Sequence, residues 1–570
     1  MYASNTIQEA VVSAIEKALG RALSDSERQV TTPPDKKMGD VAFGCFVIAK
    51  NDKEAPVEVA AEIAGKIKPN GLFTKFKATG PYVNFSIHSL VFQKEVAIIN
   101  KEKDSYGKMV DGKKETIMVE FGQPNTHKAF HVGHLKSAIS GLGIVRILEN
   151  AGKEVIKTNY YGDVGMHVAK STWGIKQKGI PDDFNSWDVH KRMLFIDEGY
   201  VLGSAEFEKN KIAAEEMKKI NSDIYAGNKT EDTKLYEQIK EWSLEHLSAV
   251  FAELGVIYDK QYPESSVYQD ALSIVKENKE KLFTESKGAL IYDGEKEGLT
   301  TWVFLTQEGN PTYSAKDLAL GVHKFKDYTL DKNITLTSVE QTDYFKVVIK
   351  CLESVAPETK DKYVHLPFGW LLSGNKKTSS RKGGTIKGMD VIGEAREIAK
   401  EKIAEIKRYS EADKERIAAV VANAGLKFMI LSHEFHKNIN YDPKKFITFE
   451  GFSGPYVLYA YVRAKALTRK VKRSFFGKSG ALTHVSEIEL VKKLSEYPDV
   501  ARRAAENLSP NTICTYIHEL ASAFNAFYTN CPVKNEKKEI KNARVELTQA
   551  TGIVLKNGLS LLGIETIEEM

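Results

Sequence analysis

Residues 120–137 read EFGQPNTHKAFHVGHLKS, and this stretch decides how the rest of the chain is interpreted. An apolar run and a Pro-Asn turn precede His131 and His134, and a helical pattern follows as far as Asn150. This order predicts a strand, a turn and a helix start. Because the first N–H groups of a helix are unpaired and its dipole is positive there, such a junction can bind an anionic nucleotide.

Gly133 lets a ligand approach the backbone closely, and the two imidazoles could stabilise charge developing on a phosphate. The alternative is a helix cap with two incidental histidines. The segment 131–134, HVGH, resembles the HIGH signature of class I aminoacyl-tRNA synthetases. Its surroundings, with Pro124-Asn125, Lys128 and residues 135–137, are most similar to arginyl-tRNA synthetases. Nucleotidyltransferases that do not use tRNA share the pattern, so other segments must decide.

The overall composition is that of a soluble globular protein of several domains. The chain has 570 residues, of which 42% are hydrophobic and 28% charged, and this length predicts three or four domains. No apolar run approaches the ~18–20 residues needed to span a bilayer, so no membrane association is expected. The net charge of +5 permits an RNA partner without demanding one.

The four cysteines, at positions 45, 351, 514 and 531, are scattered and form no CxxC pair. Neither a structural zinc site nor a disulfide framework is therefore expected. This usage fits a reducing cytoplasm, where we expect the protein to act as a monomer.

Three regions follow one another along the chain. Residues 1–110 are expected to form a small α+β unit, and residues 115–395 alternate strands with helices, which predicts a parallel sheet with ligands at its carboxyl ends. A helical insertion is expected at about 181–245, with strands again at 289–292 and 301–305. Residues 396–570 are predicted to be almost entirely helical. The family resemblance implies an additional tRNA-contacting domain, a Rossmann-like catalytic domain and an anticodon-binding all-α bundle, in that order.

Residues 374–384, GNKKTSSRKGG, combine four cations with three hydroxyls between terminal glycines. Such a loop suits a polyphosphate, although an exposed basic loop is the alternative. It resembles the KMSK loop in its arginine-specific form KMSxRKG, with Thr378 in place of methionine and Ser380 in place of the last lysine. The resemblance implies ATP contacts from Lys377, Ser379 and Arg381. It also implies that Lys128, before the first motif, compensates for the missing lysine.

Residues 311–319, PTYSAKDLA, are similar to a stretch of the same family in which a tyrosine lies four residues before an aspartate. On a helix, Tyr313 and Asp317 share one face. A guanidinium is planar, charged and rich in donors, so its pocket needs carboxylates and an acceptor or a stacking ring. Glu264 matches a family acid that also faces the substrate side chain. A helix-start acid and a core aromatic are the alternatives.

The resemblance completes both substrate sites. It implies that Glu120, Asn125 and Gln341 belong to the arginine pocket, where the two amides could bind the α-amino and carboxylate groups. Residues 365–370, HLPFGW, resemble the family's H-x-x-F-G strand, whose backbone accepts the adenine. Gly369 and Trp370 are therefore expected to contact ATP, together with His131, Gly133 and His134.

Residues 449–464, FEGFSGPYVLYAYVRA, resemble the opening of the arginyl anticodon-binding domain. Tyr456, Tyr459 and Arg463 are expected to contact tRNA, because aromatic rings stack on unpaired bases and cations follow phosphates. The alternative is a helix with a tyrosine-lined core face and a solvated basic face.

Together the motifs predict a class I arginine–tRNA ligase acting on L-arginine, on ATP with Mg²⁺ and on tRNA(Arg). The residues expected to carry catalysis are His131, His134, Lys128, Lys377 and Arg381. Two rivals remain open at this point: another class I ligase or nucleotidyltransferase, and a tRNA-binding paralogue without catalysis.

Overall fold

The computed structural model describes residues 2–68, 71–109, 114–372, 386–404, 409–472 and 479–570. The N-terminal region is an α+β unit around a four-stranded antiparallel sheet of order β1-β2-β4-β3. Pro56 occupies the first turn of α3, where its missing N–H costs nothing. The elements are α1 (Ala3–Leu19), β1 (Val30–Thr31), β2 (Val41–Gly44), α2 (Phe46–Asp52), α3 (Pro56–Lys66), β3 (Phe73–Thr79), β4 (Tyr82–Ile87) and α4 (Ser89–Glu102).

The central region contains a five-stranded parallel sheet of order β12-β11-β5-β6-β7, flanked by helices. This confirms the predicted Rossmann-like architecture. Its elements are β5 (Thr116–Glu120), α5 (Val132–Asn150), β6 (Glu154–Tyr161), α6 (Met166–Lys178), α7 (Val189–Lys209), α8 (Lys211–Ala226), α9 (Glu231–Glu253), β7 (Lys260–Pro263), α10 (Tyr268–Glu277), α11 (Lys279–Leu282), β8 (Thr284–Ser286), β9 (Ala289–Tyr292), β10 (Trp302–Leu305), α12 (Tyr313–Asp327), β11 (Lys332–Ser338), α13 (Thr342–Val355), β12 (Tyr363–Phe368) and β13 (Leu371–Leu372).

The order of this sheet places four strand ends around one cleft. β5, the central strand, is apolar and buried from Ile117 to Val119, and it ends at Glu120. β6 leads into Gly162, β7 into Glu264, and β11 into the turn that ends at Gln341. Because all five strands are parallel, these polar residues lie along the same carboxyl edge, which is where α/β enzymes bind ligands.

The two later strand predictions are right in position, but those strands do not join the parallel sheet. β9 and β10 form a separate antiparallel sheet of order β10-β9-β8, beside α12 and α10. The cause is local: only Lys287 and Gly288 connect β8 with β9, and so short a connection permits antiparallel pairing alone.

The C-terminal region is helical, as predicted, apart from one short strand that pairs with β13. Its helices also pack on α4, so the first and last regions touch. Within the described residues, no helix combines the length and apolar composition needed to span a lipid bilayer. The elements are α14 (Gly388–Ile403), α15 (Glu411–Leu431), β14 (Ile439–Asn440), α16 (Pro443–Phe446), α17 (Gly454–Lys470), α18 (Val485–Ser495), α19 (Tyr497–Glu506), α20 (Pro510–Asn530) and α21 (Lys538–Leu561).

Candidate active site

The two motif histidines cap α5 reciprocally. The Nδ1 atom of His131 accepts the backbone N–H groups of Gly133 and His134, at 3.1 and 3.4 Å. In return, the backbone N–H of His131 donates to Nδ1 of His134 at 3.3 Å. The rings stack with their centroids 3.5 Å apart. A backbone N–H can only donate, so both Nδ1 atoms must be unprotonated acceptors.

This cap leaves both imidazoles neutral, with the proton on Nε2. Burial, reinforced by the nearby Lys128 ammonium, lowers the pKa of His131 to about 4. Burial and the neighbouring ring hold the pKa of His134 well below its usual range. Each ring therefore offers one N–H donor at the positive end of a long helix, an arrangement suited to a phosphate oxygen.

The chain that follows the basic loop returns directly to this motif. The backbone N–H of Val132 donates to Ile386 O at 3.1 Å, and the N–H of Gly388 donates to Phe130 O at 2.7 Å. Three residues predicted to contact ATP, Lys377, Ser379 and Arg381, lie outside the described residues.

Gly369 and Trp370, expected on the adenine side, follow β12 next to α5. The ammonium of Lys136, one turn into α5, donates to Gly369 O at 2.7 Å and to Lys437 O at 3.1 Å. Burial lowers the pKa of Lys136 to about 8. The N–H of Gly369 donates to Phe435 O, and that of Trp370 to Asn438 Oδ1. These backbone N–H groups thus have internal partners.

On the other side of the cleft, two of the predicted carboxylates are neutralised by lysines. Lys324 of α12 pairs with Glu120, and Lys316 of the same helix pairs with Glu264; all four side chains are buried. Burial raises the pKa of Glu264, although the Lys316 ammonium opposes that shift. Burial opposes the charge of Lys324, but the Glu120 carboxylate and the Tyr363 hydroxyl together outweigh burial, so the pKa of Lys324 is raised.

Asp317, by contrast, has no cation within ion-pair distance in the described part of the chain. The hydroxyl of Tyr344 donates to its Oδ2 at 2.5 Å. Burial raises the pKa of Asp317 to about 7, although the Tyr344 hydrogen bond opposes that shift. The hydroxyl of Tyr160 is buried and has no hydrogen-bond partner among the described residues. Among the described residues, Asp317 is therefore a carboxyl group without a counter-ion, close to the unsatisfied hydroxyl of Tyr160.

The remaining arginine-pocket predictions fall at the rim of the same cleft. A Cβ atom added to Gly162 would lie 2.3 Å from Asn125 Oδ1 and 3.2 Å from Glu264 Oε2, so these two side chains meet above Gly162. Tyr313 opens α12 with 69% of its surface exposed, and the Lys316 ammonium lies 4.7 Å from its ring centroid. Gln341 is exposed at the end of the turn that precedes α13.

The three predicted tRNA contacts lie together on α17. The guanidinium of Arg463 donates to Asn525 Oδ1 at 2.7 Å and to the hydroxyl of Tyr459 at 3.0 Å. It also lies over the rings of Tyr459 and Tyr528, at 4.6 and 5.0 Å from their centroids. Tyr456 accepts a hydrogen bond from Asn525 at 2.9 Å.

Models of three protein families match the chain consecutively. The first, described as arginyl tRNA synthetase N terminal domain, matches residues 5–87. The second, described as tRNA synthetases class I (R), catalytic domain, matches residues 95–442, which is more than half of the chain. The third, described as DALR anticodon binding domain, matches residues 457–570. The chain belongs to the arginyl-tRNA synthetase family.

Full-length relatives agree with this assignment. The chain is 31% identical to the arginine–tRNA ligase of Bdellovibrio bacteriovorus, with 100% of both sequences covered. It is 32% identical to the arginine–tRNA ligase of Clostridium acetobutylicum over 99% of this chain and 100% of the relative. The fold matches the solved structure of Thermus thermophilus arginyl-tRNA synthetase with a TM-score of 0.82, at 24% identity, covering 99% of this chain and 100% of that one.

Several residues that line this cleft were not predicted from the sequence. Lys316 lies inside the quoted motif, but its pairing with Glu264 gives no local signal because the two are 52 residues apart. Lys324 could have been found, since it lies seven residues after Asp317 and therefore on the same helix face. Tyr344 and Tyr160 come from other elements, and only the fold brings them to Asp317.

Proposed function

We propose that this chain is an arginine–tRNA ligase that activates L-arginine with ATP and transfers the arginyl group to tRNA(Arg). The arginine carboxylate attacks the α-phosphorus of ATP, so that arginyl-adenylate forms and pyrophosphate leaves with its Mg²⁺. The terminal adenosine of the tRNA then takes the arginyl group through its 2′-hydroxyl, and AMP is released.

Activation needs positioning and charge stabilisation but no protein nucleophile. The Nε2–H groups of His131 and His134 are the proposed donors to the phosphate oxygens, and Lys128, whose charge acts on both rings, is a proposed cation. Lys377, Ser379 and Arg381 remain proposed pyrophosphate contacts from the sequence. The N–H groups of Gly369 and Trp370 have protein partners, and each carbonyl oxygen accepts one hydrogen bond, from Lys136 and from Ile439 N–H. We propose that this segment contacts the adenine through the second lone pair of these carbonyl oxygens.

One observation carries the choice of amino acid: among the described residues Asp317 is a buried acid without a cationic partner, whereas the neighbouring acids Glu120 and Glu264 are paired with lysines. A buried carboxyl group of this kind gains most from a ligand that brings its own positive charge. Tyr313 supplies a ring beside it, and the unsatisfied hydroxyl of Tyr160 supplies an acceptor. A guanidinium matches all three groups.

The test is ATP–pyrophosphate exchange measured with each of the twenty amino acids, with and without tRNA. We expect arginine alone to support exchange. Citrulline, which replaces the guanidinium by a neutral ureido group of similar shape, should fail at concentrations that saturate arginine. Exchange with another amino acid would favour a different class I ligase, and tRNA binding without any exchange would favour a non-catalytic paralogue.

We propose that Glu120, Asn125, Glu264 and Gln341 bind arginine, and that Tyr456, Tyr459 and Arg463 contact the tRNA. We further propose domains at 1–110, 115–395 and 396–570, and a monomeric, cytoplasmic enzyme.

A further inference from the structure

We infer that Asp197, on the inserted helix α7, is a positioning residue that holds the HVGH segment and Lys387 in register. One carboxylate oxygen, Oδ1, accepts the backbone N–H of Ala129 at 3.0 Å. The other, Oδ2, pairs with the ammonium of Lys387 at 3.0 Å. A single side chain thus joins two segments almost 260 residues apart, and the inference rests on the proposed adenylation at this site.

Both partners of Asp197 adjoin the catalytic histidines. Ala129 lies two residues before His131, and Lys387 forms an isolated antiparallel bridge with His131. One turn further along α7, the ring of Tyr200 lies 5.1 Å from the Lys128 ammonium. α7 therefore contacts the motif loop through two neighbouring residues, Lys128 and Ala129.

The environment of Asp197 makes these contacts stronger than ordinary surface pairs. Its side chain is only 14% exposed, and that of Lys387 is 31% exposed. Hydrogen bonds to an ionised acceptor are shorter and stronger than neutral ones, and screening by water is weak where exposure is low. Without the carboxylate, the Ala129 N–H would lose its acceptor and the Lys387 ammonium its counter-ion. The histidine rings would then be less tightly placed, and small misplacements cost up to about a hundredfold in rate.

The two contacts can be separated by substitution. Asp197→Asn keeps an oxygen that can accept the Ala129 N–H but loses the ion pair with Lys387. Lys387→Met also removes the ion pair and leaves the Ala129 contact in place. Asp197→Ala removes both contacts. In pyrophosphate exchange with saturating arginine and ATP, we expect kcat to fall about tenfold for D197N and K387M and about a hundredfold for D197A. The KM for arginine should stay within about twofold, because Asp197 contacts the phosphate side of the cleft.

The double variant D197N/K387M distinguishes coupling from two independent losses. If the ion pair is the shared cause, the double variant should be no slower than the slower single variant. Glu198→Gln is the matched control. Glu198 is the next residue on α7, and among the described residues it pairs only with Lys178, at an exposed position, so the kcat of this variant should be unchanged. Thermal unfolding of each variant identifies any general loss of folding.

Three results would overturn the inference: an unchanged kcat in D197A, additive losses in the double variant, or an effect confined to the KM for arginine. Each of them leaves wild-type exchange with arginine intact. Failure of the proposed function would instead appear as absence of exchange in the wild-type enzyme.

Discussion

His131 and His134 cap helix α5 with the same two rings that are proposed to bind phosphate. Each ring accepts a backbone N–H through Nδ1, which fixes the tautomer and aims Nε2–H away from the helix. Because burial depresses both pKa values, the pair titrates well below neutrality. Their donor role should therefore be insensitive to pH between about 6 and 8.

His134→Ala is expected to slow adenylation about 10²–10³-fold, because one preorganised donor and one half of the cap are lost together. Single-turnover formation of arginyl-adenylate measures this step directly. His88→Ala is the matched control, since His88 caps α4 through the same Nδ1-to-backbone contact, accepting from Leu90 N–H at 3.3 Å, in the N-terminal region. An unimpaired rate in the His134 variant would remove that residue from the mechanism.

Asp317 predicts a pH dependence of arginine binding. With its pKa raised to about 7 by burial, the carboxyl group is charged above that pH and neutral below it. Only the carboxylate pairs with a guanidinium, so the KM for arginine should rise towards about tenfold per pH unit below about 7. Of the charged groups that face it, Glu120 and Glu264 favour the neutral acid, and the Lys324 ammonium favours the carboxylate.

Two measurements check this prediction. The KM for arginine is followed from pH 5.5 to 8.5 in the wild type and in Asp317→Asn, which should bind arginine weakly and show a flat profile. Since the folded pKa exceeds that of an exposed aspartate, the free energy of unfolding of the ligand-free protein falls as pH rises from about 4 to about 7 and stays low above that. D317N should therefore melt at a higher temperature than wild type at pH 8. A sloping profile retained in D317N would assign the titration to another group.

Helix α7 is positioned against α6 by glycines. A Cβ on Gly174 of α6 would lie 1.9 Å from the carbonyl oxygen of Gly199, and one on Gly203 would lie 2.0 Å from that of Lys170. The two helices therefore touch backbone to backbone, which only residues without side chains permit. This contact sets the place of Asp197.

Gly203→Ala is expected to destabilise the protein by about 1–3 kcal/mol, because the added methyl meets a carbonyl that has no room to move. It should also lower kcat in pyrophosphate exchange, since α7 carries Asp197. Denaturant midpoints and exchange rates measure the two effects. Gly393→Ala in α14, where a Cβ meets nothing within 4 Å, should be neutral or stabilise by roughly 0.5–1 kcal/mol. If the two variants changed the stability of the protein equally, the explanation by close packing would be wrong.

Elements were predictable where one physical pattern dominates. The junction from β5 to α5 follows from an apolar run, a turn and a helical period, and Pro56 marks the start of α3. Sheet membership of β9 and β10 was not predictable, because alternation does not state which neighbour a strand pairs with. The ion pairs of Lys316 and Asp197 could not be predicted either, because their partners are distant in sequence.

The N-terminal and C-terminal regions contact each other through α4 and the turn after it. Tyr106 is fully buried; its hydroxyl donates to Glu95 within the N-terminal region and to Leu494 O of α18. The side chain of Asn557 in α21 donates to the backbone of Lys103. No local sequence pattern predicts these contacts, because each of the contacting helices has the pattern of an ordinary amphipathic helix. These contacts join the N-terminal and C-terminal regions to one another.

Arg463 provides a test of the tRNA contact proposed for the C-terminal region. Its guanidinium lies over the rings of Tyr459 and Tyr528, so it brings a positive charge and stacks on the tyrosine cluster that is proposed to contact the tRNA. Arg463→Ala should weaken tRNA(Arg) binding about tenfold or more at fixed salt, and Arg463→Lys should recover little, since an ammonium does not stack. Arg502→Ala, which removes a cation paired with Glu506 on α19, should bind normally. Fluorescence titration with tRNA measures all three variants. If the Arg463→Lys variant binds tRNA as tightly as the wild type, only the positive charge at this position matters for binding, and the stacking role proposed for this cluster is wrong.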